Sequence, residues 1–260
     1  MEPLLSRAAE LIRTARHLVV LTGAGVSTPS GIPDFRSARS GLWEKANPFI
    51  VASLQAFRVR PQMFFDWIRP LVRVFLDAVP NPAHLALAHL EQMGWLKAII
   101  TQNIDALHQK AGSSNVIEVH GHVREATCTR CYDVVPTETM VPQFIERREM
   151  PRCAKCGGIL KPNVILYGEE LPYQEINDAR HQAGTCDVML VAGSSLSIAP
   201  VADLPFIARA NGARVIVINQ EPTPIDSQAS LVIRADVAVV LPRIVSLLIA
   251  RTGCRTIRGN

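Results

Sequence analysis

Two pairs of cysteines carry the most specific chemistry in this chain. Cys128-Thr129-Arg130-Cys131 is followed, after 21 residues, by Cys153-Ala154-Lys155-Cys156-Gly157-Gly158. Two such knuckles supply the four thiolates of a tetrahedral zinc centre, and four thiolates leave no position open for water or substrate. A structural zinc ion on Cys128, Cys131, Cys153 and Cys156 is therefore expected, with a redox role for either pair the lesser reading. Zinc ribbons also bind nucleic acid, but the interval between the pairs lacks a dense run of basic and aromatic residues, so no specific nucleic-acid partner is expected. Cys186 and Cys254 both lie beside apolar sequence and read as reduced structural thiols.

A second set of residues points to phosphate and ribose. Thr22-Gly23-Ala24-Gly25-Val26-Ser27 directly follows an apolar run. Glycines there let the backbone turn sharply and approach a pyrophosphate, and a following helix N-terminus supplies free N–H groups. Position 28 is Thr where a dinucleotide fingerprint would carry a third glycine, and a bare Gly-x-Gly turn is often only a tight loop. Its continuation, Gly31-Ile32-Pro33-Asp34-Phe35-Arg36-Ser37, is polar and kinked; Arg36 can pair with phosphate and Phe35 offers an apolar wall. The bland reading is a surface loop with a buried phenylalanine.

Thr101-Gln102-Asn103-Ile104-Asp105 follows another apolar run, where strand ends face the ligand crevice of an open α/β sheet. Asp105 is equally well placed as a helix N-cap for Ala106-Leu107-His108. His120 is of the type that acts as a general base near neutral pH, although a lone histidine is more often a hydrogen-bonded structural residue. Gly193-Ser194-Ser195-Leu196 suits phosphate or ribose hydroxyls and is also common turn chemistry; Gly-x-Ser-x-Gly is absent, which excludes a nucleophile elbow. Asn219 ends a further apolar run at a ribose-binding place, and Pro162 to Glu169 reads as an extended segment returning from the cysteine module.

The elements that must position these groups follow from periodicity. Residues 4–17 place Leu4, Leu5, Ala8, Leu11, Ile12 and Ala15 at helical spacing, then change abruptly to the strand-like His17 to Gly23. Similar short apolar runs recur at Leu96 to Thr101, Asp187 to Ala192 and Arg214 to Asn219, separated by helical patterns such as Pro82 to Met93 and Val201 to Ala210. The class implied is α/β, a Rossmann-like doubly wound parallel sheet covered on both faces. Two stretches break the rhythm: residues 39–80, aromatic and mostly helical, and residues 123–162, which hold the cysteines. The expected division is a sheet domain of 1–38, 81–122 and 163–260, with the two insertions forming a smaller lobe of helices plus zinc ribbon.

With 48% hydrophobic and 19% charged residues the 260-residue chain is of folded, not disordered, composition, and a net charge of +4 is weak evidence for a polyanionic partner. Runs such as Val188 to Ala192 are too short to span a bilayer, and the N-terminus lacks the basic, apolar and small-residue regions of a signal peptide. A cytoplasmic protein without membrane partners is expected, its short termini those of a minimal core.

In order along the chain, the Gly-Ala-Gly-Val-Ser turn, Gly31 to Arg36, Thr101 to Asp105, His120-Gly121, the paired cysteines, Asn163 to Glu169, Gly193 to Leu196 and Ile218-Asn219 together resemble the sirtuins, from about residue 10 to 242. The resemblance implies an NAD-dependent protein-lysine deacetylase or deacylase in which NAD, a co-substrate, meets an acyl-lysine peptide between the two lobes. By it, Gly23, Ala24, Gly25 and Arg36 surround the pyrophosphate, while Gly193, Ser194, Ser195, Asn219 and Val237 hold the adenosine half. Ser27, Gln102, Asn103, Ile104 and Asp105 hold the nicotinamide ribose and carboxamide, with Asp34 and Phe35 beside them; His120, Asn103 and Asp105 are the catalytic set. The peptide lies as an added strand along Ile165, Tyr167, Gly168 and Leu196, with Phe35 and Ile104 at the acyl-lysine.

The implied reaction has the acyl oxygen attack the ribose C1′ as nicotinamide departs; His120 then takes a proton from the ribose diol, and water completes release of lysine and acylated ADP-ribose. Several positions depart from the family pattern. Sirtuins that prefer succinyl or malonyl groups carry Tyr and Arg in the helical insertion, where this chain has Ile68 and Leu71, with Arg69 and Arg73 nearby. Tyr167 replaces a common phenylalanine, and Ala235-Asp236-Val237 replaces Gly-Asp-Ala. Rival readings are NAD-dependent ADP-ribosyl transfer to protein and a non-catalytic NAD-sensing zinc-ribbon module.

Overall fold

The computed structural model describes residues 1–34 and 46–253, so the expectations for Phe35, Arg36 and Cys254 fall outside the described residues. The chain runs α1 (Glu2–Arg13), β1 (Leu18–Thr22), α2 (Pro48–Val51), α3 (Leu54–Val59), α4 (Pro61–Asp77), α5 (Pro82–Gln92), β2 (Leu96–Thr101), α6 (Leu107–Lys110) and β3 (Val116–Glu118). It continues through β4 (Gly121–Cys128), β5 (Val134–Pro136), β6 (Leu160–Val164), α7 (Tyr173–Thr185), β7 (Val188–Ala192), α8 (Leu204–Ala210), β8 (Arg214–Ile218), β9 (Leu231–Ile233) and α9 (Val237–Gly253).

Six strands form one parallel sheet in the order β3-β2-β1-β7-β8-β9. Alternate side chains of each strand face opposite sides, and both sides are covered. Leu18, Val20, Leu190 and Ile216 pack with α1, α5 and α9, whereas Val19, Leu21, Val191 and Val217 pack with α7 and α8. Burial on both faces is why these strands read as unbroken apolar runs. The order reverses at β1: the chain steps outward to β2 and β3, then returns to place β7 on the other side. The connections leaving β1 and β7 therefore diverge and open a crevice at their carboxyl ends.

The expected strands are present with small shifts at their ends. β7 starts at Val188, because the Asp187 side chain accepts hydrogen bonds from the Arg16 and His17 backbone N–H groups, both at 2.9 Å. The first helix stops at Arg13, and the 201–210 helix opens with a 3-10 turn at Val201–Asp203.

β5, β4 and β6 make a separate antiparallel sheet at the cysteine module. The helical insertion and this module share an apolar core of Phe57, Phe64, Phe65, Phe144, Val164 and Leu166. Phe65 and Phe144 meet edge-on with ring centroids 5.5 Å apart, and Arg69 lies 4.6 Å over the Phe144 ring while donating to the Phe144 carbonyl at 2.7 Å. β6 runs straight from the second cysteine knuckle into Ile165 to Glu169, so the module positions that segment.

Candidate active site

At the sheet reversal the turns after β1 and β7 touch. The Gly25 N–H donates to the Gly193 carbonyl at 2.8 Å. A Cβ on Gly23 would lie 2.8 Å from the Ser194 Cβ, and one on Gly193 would lie 2.4 Å from the Val26 nitrogen. Gly193 also has φ of +61°, so two constraints require glycine there. The glycines thus answer first to the close approach of two loops, and their own N–H groups are engaged within it: Gly23 donates to the Ala192 carbonyl at 3.3 Å and Gly193 to the Ile218 carbonyl at 3.0 Å.

Asn103 and Asp105 emerge from the end of β2 into a buried polar cluster. Asn103 Nδ2 donates to the Gly23 carbonyl at 3.1 Å and to Ser27 Oγ at 3.0 Å, and the Ser27 hydroxyl donates to Asp105 Oδ2 at 2.6 Å. Asp105 Oδ1 accepts the Leu107 N–H at 2.9 Å. Both readings of Asp105 therefore hold together: one oxygen caps α6 and the other joins the crevice. Burial raises its carboxyl above the usual range, and the Ser27 hydroxyl and Leu107 N–H oppose that rise. Gln102 Nε2 donates to Ser194 Oγ at 2.8 Å, tying the end of β2 to the end of β7 across β1.

His120 is half-buried, with Nδ1 3.1 Å from the Gln102 carbonyl oxygen. A carbonyl only accepts, so Nδ1 carries the proton and the basic lone pair sits on Nε2. The ring lines a cavity of about 340 Å³ shared with Gln102, Asn103 and Ile104 on one side and Ile165, Tyr167 and Gly168 on the other. Phe64, Trp67, Ile68, Val164 and Leu166 make its remaining wall largely apolar. Tyr167 gives its N–H to Ala52 and its carbonyl to Leu54, so of this segment it is Gly168 that makes no backbone hydrogen bond among the described residues. Leu196, expected beside the peptide, is 4% exposed and packs in the core instead of lining this cavity, whose wall from the same loop is Ile198, Ala199 and Pro200; it has φ of +53°, with its N–H on Ser194 Oγ at 3.2 Å.

The two positions compared with succinyl- and malonyl-preferring relatives separate here. Ile68 lines the cavity, whereas Leu71 packs toward Ile32, Phe75 and Leu107. Arg69 and Arg73 line a different cavity with Arg148, so neither cation reaches the apolar one.

At the far end of the crevice Ser194 is buried, Ser195 Oγ lies 2.8 Å from Ser197 Oγ, and Asn219 Nδ2 donates to the Glu221 carbonyl at 2.8 Å. Val237 is 3% exposed and belongs to the core, so only its backbone can meet a ligand.

The four cysteine sulfurs lie within 4.8 Å of one another, with Cys128–Cys156 at 3.5 Å and Cys131–Cys153 at 3.7 Å. Zinc–sulfur bonds of about 2.3 Å require tetrahedral edges of roughly 3.8 Å, so the set fits zinc. Backbone N–H groups of Arg130, Cys131 and Gly158 point at Cys128 and Cys156 sulfurs from 3.4–3.5 Å, the donors that thiolates need. A Cβ on Gly158 would lie 2.7 Å from the Cys128 sulfur.

The Sir2 family model matches residues 23–200, from the glycine turn through the loop after β7. The chain belongs to the Sir2 family. Its relatives are NAD-dependent, and its own four clustered cysteines fit a structural zinc ion. Among relatives of this Sir2 chain, NAD-dependent protein deacylase 2 of Archaeoglobus fulgidus is 44% identical over 94% of this chain and 96% of its own. A solved structure described as the structural basis for the mechanism and regulation of Sir2 enzymes superposes with a TM-score of 0.90 at 43% identity, covering 96% of this chain and 100% of that one. The structure of Sir2Af2 bound to a myristoylated histone peptide matches with a TM-score of 0.83 at 38% identity, covering 97% and 99%.

Sequence reasoning passed over one group in this Sir2 fold. Asn81 caps α5 and sends its side-chain N–H groups to the Val26 carbonyl at 2.8 Å and Ser30 Oγ at 2.9 Å, and behind it lie His84 and His108, both buried. The available signal was an N-cap asparagine, Asn81, followed three positions later by a histidine, His84, among the buried residues of α5.

Proposed function

We propose that this Sir2 protein is an NAD-dependent protein-lysine deacylase, transferring the acyl group to ADP-ribose with release of nicotinamide. The observation that carries the reading is His120: its Nδ1 proton is fixed on the Gln102 carbonyl, and its ring lines, together with Asn103 of the Asn103–Ser27–Asp105 cluster, a largely apolar cavity. A base in that place serves a ribose on one side and an acyl-lysine on the other. A module that only sensed NAD would not need it.

Within this reading, Gly23, Ala24 and Gly25 take the pyrophosphate with Arg36, and Gly193, Ser194, Ser195, Asn219 and the Val237 backbone take the adenosine half. Ser27, Gln102, Asn103, Ile104 and Asp105 fix the nicotinamide ribose and carboxamide, with Asp34 and Phe35 adjacent. The acyl-lysine fills the apolar cavity over Ile104, and its peptide adds a strand between Gly168 and Leu196, flanked by Ile165 and Tyr167. Main-chain pairing of that kind tolerates varied sequence, so acylated-lysine proteins as a class are the partners. His120 Nε2 then accepts the ribose hydroxyl proton. The cavity's apolar wall and the remoteness of Arg69 and Arg73 favour uncharged acyl groups over succinyl or malonyl. Zinc, closed by four thiolates, holds the small lobe and takes no part in the chemistry. We assign 39–80 and 123–162 to that lobe, the rest to the NAD-binding domain, and the protein to the cytoplasm; no helix among the described residues is long and apolar enough to cross a membrane.

Mass spectrometry of the protein with an acetyl-lysine peptide, with and without NAD, tests the reaction. Expected is NAD-dependent loss of the acetyl group matched by nicotinamide and acetyl-ADP-ribose. ADP-ribosylated protein in place of these products would favour transfer to protein instead. His120→Ala should lower turnover by about a hundredfold or more while ADP-ribose binding and zinc content persist, and near-full activity would remove His120 as the base.

A further inference from the structure

We propose that His108, backed by His84, is a positioning residue for the nicotinamide side of the crevice: a neutral histidine pair that fixes Asn103 through the hydroxyls of Thr22 and Thr101. The proposal rests on the assignment of Asn103 to the nicotinamide pocket. His84 lies on α5 and His108 on α6; they are 0% and 1% exposed, with ring centroids 4.9 Å apart in an edge-to-face arrangement.

The hydrogen bonds around the pair determine its tautomers. The Asn81 backbone N–H reaches His84 Nδ1 at 3.4 Å, so Nδ1 accepts and Nε2 carries the proton. The Thr22 hydroxyl donates to Thr101 Oγ1 at 2.9 Å, so in the 3.0 Å contact between His108 Nε2 and Thr22 Oγ1 the ring is the donor. That leaves the donor His84 Nε2 and the acceptor His108 Nδ1, both buried without a hydrogen-bond partner and complementary to each other. Burial lowers His84 to about 4 and His108 to about 3, which keeps both rings neutral at physiological pH.

The relay ends at the site. Thr22 and Thr101 are the last residues of β1 and β2 and stand opposite each other in register. Thr101 Oγ1 also accepts the Asn103 N–H at 3.1 Å, and the Asn103 side chain continues to the Gly23 carbonyl and Ser27. Two buried imidazoles with unsatisfied nitrogens are a costly way to fill space that apolar side chains would fill better. What the imidazoles supply is a proton direction: His108 donates to Thr22, Thr22 to Thr101, and Thr101 is left with the lone pair that receives Asn103.

The test uses the intact protein and two substitutions at the hinge of the relay. Thr22→Val keeps the shape of the side chain and removes its hydroxyl; Thr22→Ser keeps the hydroxyl. For Thr22→Val the expected outcome is a fall in the rate of nicotinamide release of about tenfold or more with ADP-ribose affinity within about threefold of wild type, since ADP-ribose lacks the nicotinamide that Asn103 orients. Thr22→Ser should restore the rate. Ring 15N spectra of the wild type should show both histidines as neutral Nε2–H tautomers that do not titrate between pH 8 and 5.

Thr22→Val within about twofold of the wild-type rate would overturn the proposal, as would equal loss of rate and ADP-ribose affinity, which marks a purely structural role. An Nδ1–H tautomer at His108, or titration near pH 6, would overturn it too, and that spectrum decides the matter if Thr22→Val fails to fold. An inactive wild type would count against the deacylase reading alone, because the ring spectra do not depend on turnover.

Discussion

Asp105 shows how one residue can be set against the stability of the molecule that carries it. Its carboxyl is raised above the ordinary value of 3.8 chiefly by burial. A carboxyl raised in the folded state binds its proton more tightly there than in the unfolded chain, so stability is highest at low pH and falls as pH rises through the raised value. The raised carboxyl is thus a cost to the fold above that value, and the NAD contact proposed for Asp105 supplies a reason to keep it. Asp105→Asn keeps the oxygen that caps Leu107 and removes the charge; the expected outcome is a Tm at pH 7 equal to wild type or a few degrees higher, with the KM for NAD raised about tenfold or more. A lower Tm with unchanged NAD kinetics would show that the carboxylate serves the fold. His84 and His108 have the opposite sign. Their folded values, about 4 and about 3, lie below the unfolded 6.5, so the unfolded chain binds more protons and stability is lost as pH falls from about 6.5 toward 4. Thermal melts should record a Tm falling steadily between pH 7 and 5, and a flat profile would mean the rings are hydrated.

Among elements, the sheet strands were the most legible, because a strand buried on both faces must be apolar throughout and can hide no polar residue in its middle. Val188–Ala192 and Leu18–Thr22 could be read almost to the residue for that reason. The turns after them were less legible. Gly23, Gly25 and Gly193 were read as places for a phosphate, whereas their backbones also have to pass each other, a contact between residues some 170 positions apart that no local pattern reveals. That contact makes a sharp prediction. Gly193→Ala would force a Cβ to within 2.4 Å of the Val26 nitrogen and hold alanine at φ of +61°. The cost should be about 2 kcal/mol or more, seen in denaturant melts, with ADP-ribose affinity falling in parallel as the two turns part. Wild-type stability for this variant would mean that the turns separate freely. The helices of residues 48–77 were foreseen only as a mostly helical stretch, since their aromatic face packs on another insertion instead of on the sheet.

At the scale of the whole molecule, the cysteines were the easiest site to read and have the widest reach. A metal knuckle is written in four residues, but its structural consequence depends on where β6 goes next. From Cys156 the chain enters β6 and emerges at Ile165 to Glu169, one wall of the apolar cavity, while Phe144 of the same module supports Phe65 and Arg69 of α4, whose Phe64, Trp67 and Ile68 form another wall. Removal of zinc should therefore unfold more than the knuckles. In hydrogen exchange, protection should fall across 121–164 and 61–77 together, while β1, β2 and β7, held by their own helices, stay protected. ADP-ribose should still bind, because the glycine turns and the Asn103 cluster belong to the parallel sheet and its loops. Deacylation should cease, because the cavity proposed for the acyl-lysine loses two walls at once. Full activity in protein verified to be zinc-free would break this chain of reasoning at its first link, and loss of exchange protection confined to 128–156 would break it at the second, where the module hands its order to α4.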